Sequence, residues 1–290
     1  MSERRRDGFA PKKSLGQHFI RDEALLERLA ELSGASEDDV VLEIGAGTGG
    51  LTAALAKRAK AVIAVEIDRE LEPVLLELSR NHHNIHIYIS DALKMDWPAL
   101  TGMYHETPAR FVSNLPYYIS TPLLMKALTH VPPFASLACM AQREVACKMT
   151  ALPGSGGYGT LAILTQALYI PKIALEAPAS SFYPPPNVES VFVVCVLQAQ
   201  PLIRPNEYAR FNRLLAAAFG MRRKTLRNNL RAAFHMDAHE VEEWLERAGV
   251  DPCARAEAVS PEEFANILSL DPTPPPDTGG TTHSTSRDAR

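Results

Sequence analysis

The run VVLEI-GAGTGG-LTAALAKRA, from Val40 to Ala59, constrains the fold more than any other part of the chain. An apolar strand is cut off by six residues of which four are glycine, and the apolar spacing beyond is helical. A strand that turns at once into a helix sends the chain back over its sheet, so that the next strand runs parallel to the first. The pattern then repeats. AVIAVEI (Ala61 to Ile67) precedes a helix through Leu75 and Leu78, IHIYI (Ile85 to Ile89) follows, and RFVSN (Arg110 to Asn114) precedes a helix through Leu123, Leu124 and Leu128. An earlier helix runs from Asp22, an N-cap candidate, through Leu25, Leu26, Leu29 and Leu32 to Gly34. Strands are expected at Leu137 to Ala141, Ile173 to Ala177 and Val188 to Leu197, with a helix at Leu161 to Tyr169. The class is α/β, a Rossmann-like, mostly parallel sheet with helices on both faces.

At 290 residues there is room for a second, smaller unit. After Pro201 no strand pattern appears, and helices are predicted at Asn206 to Phe219, Lys224 to Phe234, Ala238 to Ala248 and Pro261 to Leu270. The expected organisation is therefore a basic N-terminal segment (1–21), a sheet domain (22–200), a small helical domain (201–270) and a disordered tail (271–290) rich in Pro, Gly, Ser and Thr. No apolar stretch reaches about 18 residues, which argues against a membrane span. The four cysteines, Cys139, Cys147, Cys195 and Cys253, form no CxxC pair. With no secretory signal evident either, a reducing, cytoplasmic setting is expected. His82, His83 and His86 have no acidic or cysteine partner close by in sequence, and read as a surface turn rather than a metal site.

In an open parallel sheet a ligand lies beyond the carboxyl ends of the strands. Gly45, Glu66, Asp91 and Asn114 all fall at such ends. Gly45, Gly47 and Gly50 satisfy G-x-G-x-x-G, and Glu66 follows 21 residues after Gly45, where a carboxylate can accept the hydroxyls of a ribose. That much fits a dinucleotide as well as S-adenosylmethionine, and a tight turn with no ligand produces the same glycines. Asp91 adds an acceptor suited to the exocyclic amine of an adenine.

Asn114 opens NLPYY (Asn114 to Tyr118). An aromatic amine is a poor nucleophile because its lone pair is delocalised into the ring. Two acceptors, the Asn114 side-chain carbonyl and the Leu115 backbone carbonyl, can each take one N–H and turn the lone pair towards a methyl group on sulfonium. Pro116 stiffens the loop, and Tyr117 offers a face for an extruded base. Sulfonium is already an activated leaving group, so no metal, nucleophilic residue or strong base is required.

Ten motifs in order then show that the chain, from about Lys12 to Leu268, resembles the ribosomal RNA adenine dimethyltransferases, most closely their bacterial small-subunit branch. They are KKSLGQHFI, LEIGAGTGGLT, VEID, SDAL, NLPYYIST, QREVA, YGTL, FYPPPNVES, RRKTLRNNL and RAEAVS. The resemblance implies a class I methyltransferase sheet plus a helical C-terminal domain, with S-adenosylmethionine as cofactor. The implied reaction places two methyl groups on each of two adjacent adenosines, in a hairpin loop near the 3′ end of the 16S RNA of the small ribosomal subunit, during late assembly. By motif, the implied cofactor contacts are His18, Ile20, Gly45, Gly47, Glu66, Asp91 and Asn114. Ile20 stands where the family commonly has leucine, a harmless change if the backbone makes the contact. Phe182, on the proline-rich turn, either covers the second face of the flipped adenine opposite Tyr117 or plugs the core.

The net charge is -4, yet from Arg204 to Arg231 eight basic residues face one acid, Glu207. Arg222, Arg223, Lys224, Arg227 and Arg231 are the expected contacts to RNA phosphates. The alternative within the family is the type that methylates one adenosine of large-subunit RNA and confers macrolide resistance, which the C-terminal motifs disfavour. A mitochondrial transcription-factor relative is disfavoured because only about a dozen residues precede the first motif, and an NAD-dependent oxidoreductase gives NLPYY no task. A monomer without metal is expected.

Overall fold

The computed structural model describes residues 11–12, 15–103, 109–221 and 223–272. In chain order its elements are β1 (Phe19–Ile20), α1 (Glu23–Leu32), β2 (Val40–Ile44), α2 (Gly50–Ala56), β3 (Ala61–Glu66), α3 (Glu72–Asn81), β4 (Ile85–Ile89), α4 (Trp97–Gly102), β5 (Ala109–Asn114), α5 (Ser120–Leu128), β6 (Ser136–Gln142), α6 (Arg143–Thr150), α7 (Thr160–Leu168), β7 (Tyr169–Ala177), β8 (Phe182–Tyr183) and β9 (Ser190–Leu197). They continue with α8 (Tyr208–Ala218), α9 (Leu226–Phe234), α10 (Ala238–Arg247) and α11 (Pro261–Ser269).

Seven strands form one sheet in the order β4-β3-β2-β5-β6-β9-β7, and β1 pairs with β8 in a separate two-stranded ribbon. The first four pairings of the sheet are parallel, whereas β9 lies antiparallel between β6 and β7. Every residue of β2 and β3 is buried, as strands covered on both faces must be. Alternate residues divide between two apolar layers. Leu42, Ile44, Ile63 and Phe111 pack with Trp97, Leu123, Leu124 and Leu164, while Val41, Val62, Val112 and Phe192 pack with Leu25, Leu29, Leu51 and Leu55 of α1 and α2.

The predicted α/β architecture is present, with differences that have physical causes. Helices α4 and α6 and the ribbon of β1 with β8 have no counterpart in the sequence pattern, because six to eight residues give few turns of periodicity and two residues give none. The chain enters β7 at Tyr169 rather than Ile173, and Thr225, whose hydroxyl accepts the Asn228 N–H, starts α9 at Leu226 rather than Lys224. His86 lies inside β4 and His82 ends α3.

Phe211, Leu215, Leu226, Leu230, Trp244 and Phe264 of the C-terminal helices belong to the same buried cluster as Leu161 and Leu164 of α7. Two hydrogen bonds stitch the packing: Tyr158 Oη donates to the Val259 carbonyl (2.7 Å) and Trp244 Nε1 to that of Ile267 (2.9 Å). The tail expected over 271–290 lies outside the described residues except for Asp271 and Pro272. Asp271 belongs to the packed part, its side chain 1% exposed and ion-paired with Arg210 and Arg213 of α8. Among the described residues no helix is long and apolar enough to cross a membrane, and no cluster of His, Cys, Asp or Glu could hold a metal ion.

Candidate active site

The strand order reverses beside β2, whose neighbours are β3 on one side and β5 on the other. A crevice opens at the carboxyl ends there, as expected at such a switch point. It encloses about 890 Å³ of space open to solvent. Lining it are His18, Ile20, Gly45, Gly47, Glu66, Asp91, Asn114, Leu115, Pro116 and Tyr117, so the structure brings together these ten of the predicted site residues.

The glycines are required by contact as well as conformation. Gly45 has φ +79°, and a Cβ there would stand 3.3 Å from the Pro116 ring; Gly47 has φ +58°, and its Cβ would stand 3.0 Å from the Phe19 ring. The glycine loop is also held by Glu66. Its Oε2 accepts the Gly47 N–H (2.8 Å), and Oε1 accepts those of Ile67 and Asp68 (both 2.9 Å). A carboxylate has about four acceptor positions, and with three taken this one retains about one for a ligand, fewer than the two hydroxyls a ribose presents. Burial raises the Glu66 carboxyl above the usual range, and the three backbone donors oppose that shift.

Asp91 follows β4, with Oδ1 accepting the Leu93 N–H (3.0 Å) and Oδ2 3.3 Å from Lys94 Nζ. Asn114 ends β5, and its Nδ2 donates to the His18 carbonyl at 2.9 Å. That bond engages the amino end of the amide and assigns Oδ1 the acceptor role. Leu115 N–H donates to the Met140 carbonyl (3.1 Å), which holds the Asn114–Leu115 peptide at the start of the loop. Tyr117 Oη and Ser190 Oγ share a hydrogen bond of 2.5 Å, and the Tyr117 ring lies 5.4 Å from that of His18. His18 Nδ1–H in turn donates to the Pro184 carbonyl at 2.7 Å.

Ile20 is buried and pairs through its backbone with Phe182. Phe182 stands apart from the other ten. At 4% exposure it packs with Ile20, Leu25 and Leu26 and does not line the crevice, which favours the core-plug alternative over a stacking face. The physical reason is the β1–β8 ribbon, which turns the Phe182 side chain into the layer beneath α1.

Three functional candidates carry little signal in the sequence. Tyr118, 49% exposed at the crevice mouth, reads there only as the second tyrosine of NLPYY. Glu43 is fully buried in the crevice floor with neither carboxyl oxygen hydrogen-bonded, and burial pushes its carboxyl up to about 8. Its one signal is an acid inside the apolar run VVLEI. Asp68, which secures the N-terminal segment, shows there only as the last residue of VEID.

The basic surface is less free than its composition suggests. Arg210 and Arg213 are engaged by Asp271, and Arg227 is ion-paired with Glu242. Arg223, Lys224 and Arg231 are exposed, and Arg222 lies outside the described residues.

A mostly parallel sheet with a glycine loop after β2 and an acid at the end of β3, carrying an Asn-Leu-Pro-Tyr loop at the end of β5, defines the class I methyltransferase fold. The family model for Ribosomal RNA adenine dimethylase matches residues 8–270, and the chain belongs to that family. The Ribosomal RNA small subunit methyltransferase A of Pelotomaculum thermopropionicum is 40% identical over 275 residues, which cover 91% of this chain and 92% of that protein. Among solved structures, a dimethyladenosine transferase from Plasmodium falciparum is 27% identical with a TM-score of 0.70, covering 87% of this chain and 96% of its own. The 23S rRNA methyltransferase ErmE is 28% identical with a TM-score of 0.64, covering 87% and 98%.

Proposed function

We propose that the protein transfers methyl groups from S-adenosylmethionine to the exocyclic amines of two adjacent adenosines in a hairpin loop near the 3′ end of 16S rRNA, within an assembling small ribosomal subunit. The observation that carries this reading is the fixed amide of Asn114, whose Nδ2 is bound to His18 and whose Oδ1 is left to accept. A small-subunit relative at 40% identity supports that target over the large-subunit alternative, whose representative ErmE is 28% identical to this chain.

The crevice suits the cofactor. A nucleoside needs acceptors for a hydroxyl and an amine, which Glu66 and Asp91 supply. When bound, S-adenosylmethionine provides a methyl group already activated on sulfonium. Asn114 Oδ1 and the Leu115 carbonyl accept the two N–H groups of the adenine, directing its lone pair out of the ring plane. Tyr117 covers one face of the extruded base, held in place by Ser190. Gly45, Gly47, His18 and Ile20 line the cofactor side, the last through its backbone. Residues 201–270 form the helical RNA-binding part, where Arg223, Lys224 and Arg231 offer free charge to phosphates and Arg222 and Arg227 flank them. The proposed setting is the cytoplasm, with the enzyme acting as a monomer without metal.

The test is transfer of labelled methyl from S-adenosylmethionine to unmodified small and large subunits side by side, with the product nucleosides identified. Dimethyladenosine on the small subunit alone is the expected result, and label on the large subunit overturns the target. Asn114→Ala should fold normally and lose at least about a hundredfold in transfer rate. Glu66→Ala should weaken cofactor binding about tenfold or more by calorimetry, since it removes both a ligand acceptor and the tie to Gly47.

A further inference from the structure

An asparagine amide is nearly symmetric in shape, so a half-turn exchanges its carbonyl for its amino group. With the amino group facing an amine, donor meets donor and no lone pair can be oriented. The orientation of Asn114 is therefore decided by whatever accepts its Nδ2, and that acceptor is the His18 carbonyl, on a segment with almost no secondary structure of its own.

That segment is anchored at two places. At its carboxyl side β1 pairs with β8, and the Arg21 N–H donates to the Ser181 carbonyl (2.9 Å). At its amino side the polar contacts gather on the turn after β3, at Asp68, which is 5% exposed, and at Glu70, whose carboxylate lies 3.0 Å from Lys12 Nζ. Lys12 Nζ reaches Asp68 Oδ1 at 2.7 Å and Gln17 Nε2 reaches Oδ2 at 2.9 Å, while the Gln17 side-chain carbonyl is itself held by the Lys12 N–H at 2.7 Å. Gln17 is thus fixed at both ends of its amide, and the next residue is His18. The same turn serves the cofactor side, because the Asp68 N–H donates to Glu66 Oε1.

We propose that Asp68 is a positioning residue that latches the N-terminal segment through Gln17 and Lys12, so that the His18 carbonyl captures Asn114 Nδ2 and leaves Oδ1 facing the target amine. The proposal rests on the role given to Asn114 above and adds what sets its orientation. Burial pushes the Asp68 carboxyl up, but the bonds from Lys12 and Gln17 outweigh it and hold the group below the usual range, so the latch is ionised at neutral pH.

The test uses the full chain and two readouts. Hydrogen exchange without cofactor reports whether the segment is held, and single-turnover methyl transfer at saturating cofactor and RNA reports whether Asn114 is oriented. Asp68→Ala should speed exchange of the amides of residues 15–21 about tenfold, leave those of β2 to β5 unchanged, and slow transfer by on the order of 10- to 100-fold. In an Asn114→Ala background Asp68→Ala should cost little more, because the group it positions is gone. Gln17→Glu should mimic the loss by like-charge repulsion, and adding Asp68→Asn to it should restore both readouts by reversing donor and acceptor. Unchanged exchange in Asp68→Ala, or faster exchange with an unaltered transfer rate, overturns the latch. A wild-type chain that transfers no methyl group overturns the function itself, an outcome the variants cannot be confused with.

Discussion

Glu43 shows how a single side chain departs from what its neighbours in sequence suggest. Its carboxyl, pushed up to about 8 by burial, is protonated in the folded chain at neutral pH, whereas in the unfolded chain it ionises near 4.5. The folded state therefore holds one more proton across that interval, and stability falls as pH rises through it, by about 1.4 kcal/mol per pH unit at full effect. Glu43→Gln removes the dependence. Denaturant midpoints measured from pH 5 to pH 8 should fall less steeply for Glu43→Gln than for the wild type, and parallel curves would contradict a neutral Glu43. At this scale much of the crevice lining was legible: Gly45, Glu66, Asp91 and Asn114 lie at or within two residues past a strand end, and strand ends can be read from where an apolar run stops. Glu43 was hidden because it sits inside such a run, and Asp68 because its partners are 51 and 56 residues away.

Among the elements, the β1–β8 ribbon decides which aromatic rings reach the crevice. It buries Phe182 and Ile20 beneath α1 and sets the Phe19 ring against the glycine loop. Gly47→Ala tests that packing, because the added methyl meets the Phe19 ring and the residue must also keep φ +58°. A loss of about 1–2 kcal/mol is expected from the left-handed conformation alone. It is read as a lower denaturant midpoint with an unchanged slope, together with weaker cofactor binding. The long strands and helices of the sheet were legible from period and length. The ribbon was not, since two residues carry no alternation and its pairing joins segments some 160 residues apart.

For the whole molecule, net charge is a poor guide and even local charge has to be corrected for pairing. Asp271 and Glu242 engage three of the eight basic residues that the sequence places between Arg204 and Arg231. The remaining exposed charge near the start of α9, Arg223 and Lys224, is what the proposed RNA contact would use. Arg223→Glu with Lys224→Glu should weaken RNA binding and lower the slope of log affinity against log salt by about one for each phosphate that the variant no longer neutralises. Arg227→Ala should act mainly on stability through its pairing with Glu242, and an unchanged salt slope in the double reversal would move the RNA surface elsewhere.

The buried cluster that runs without a break from the sheet through α7 into α8, α9 and α11 has one more consequence. On the proposed function, the helices that would grip RNA share one core with the crevice, so the spacing between the two is set by packing and would act as a ruler. Two adenosines side by side along one strand differ in their distance from any fixed grip. Reaching both then requires the RNA loop, and not the protein, to shift by one nucleotide between modifications.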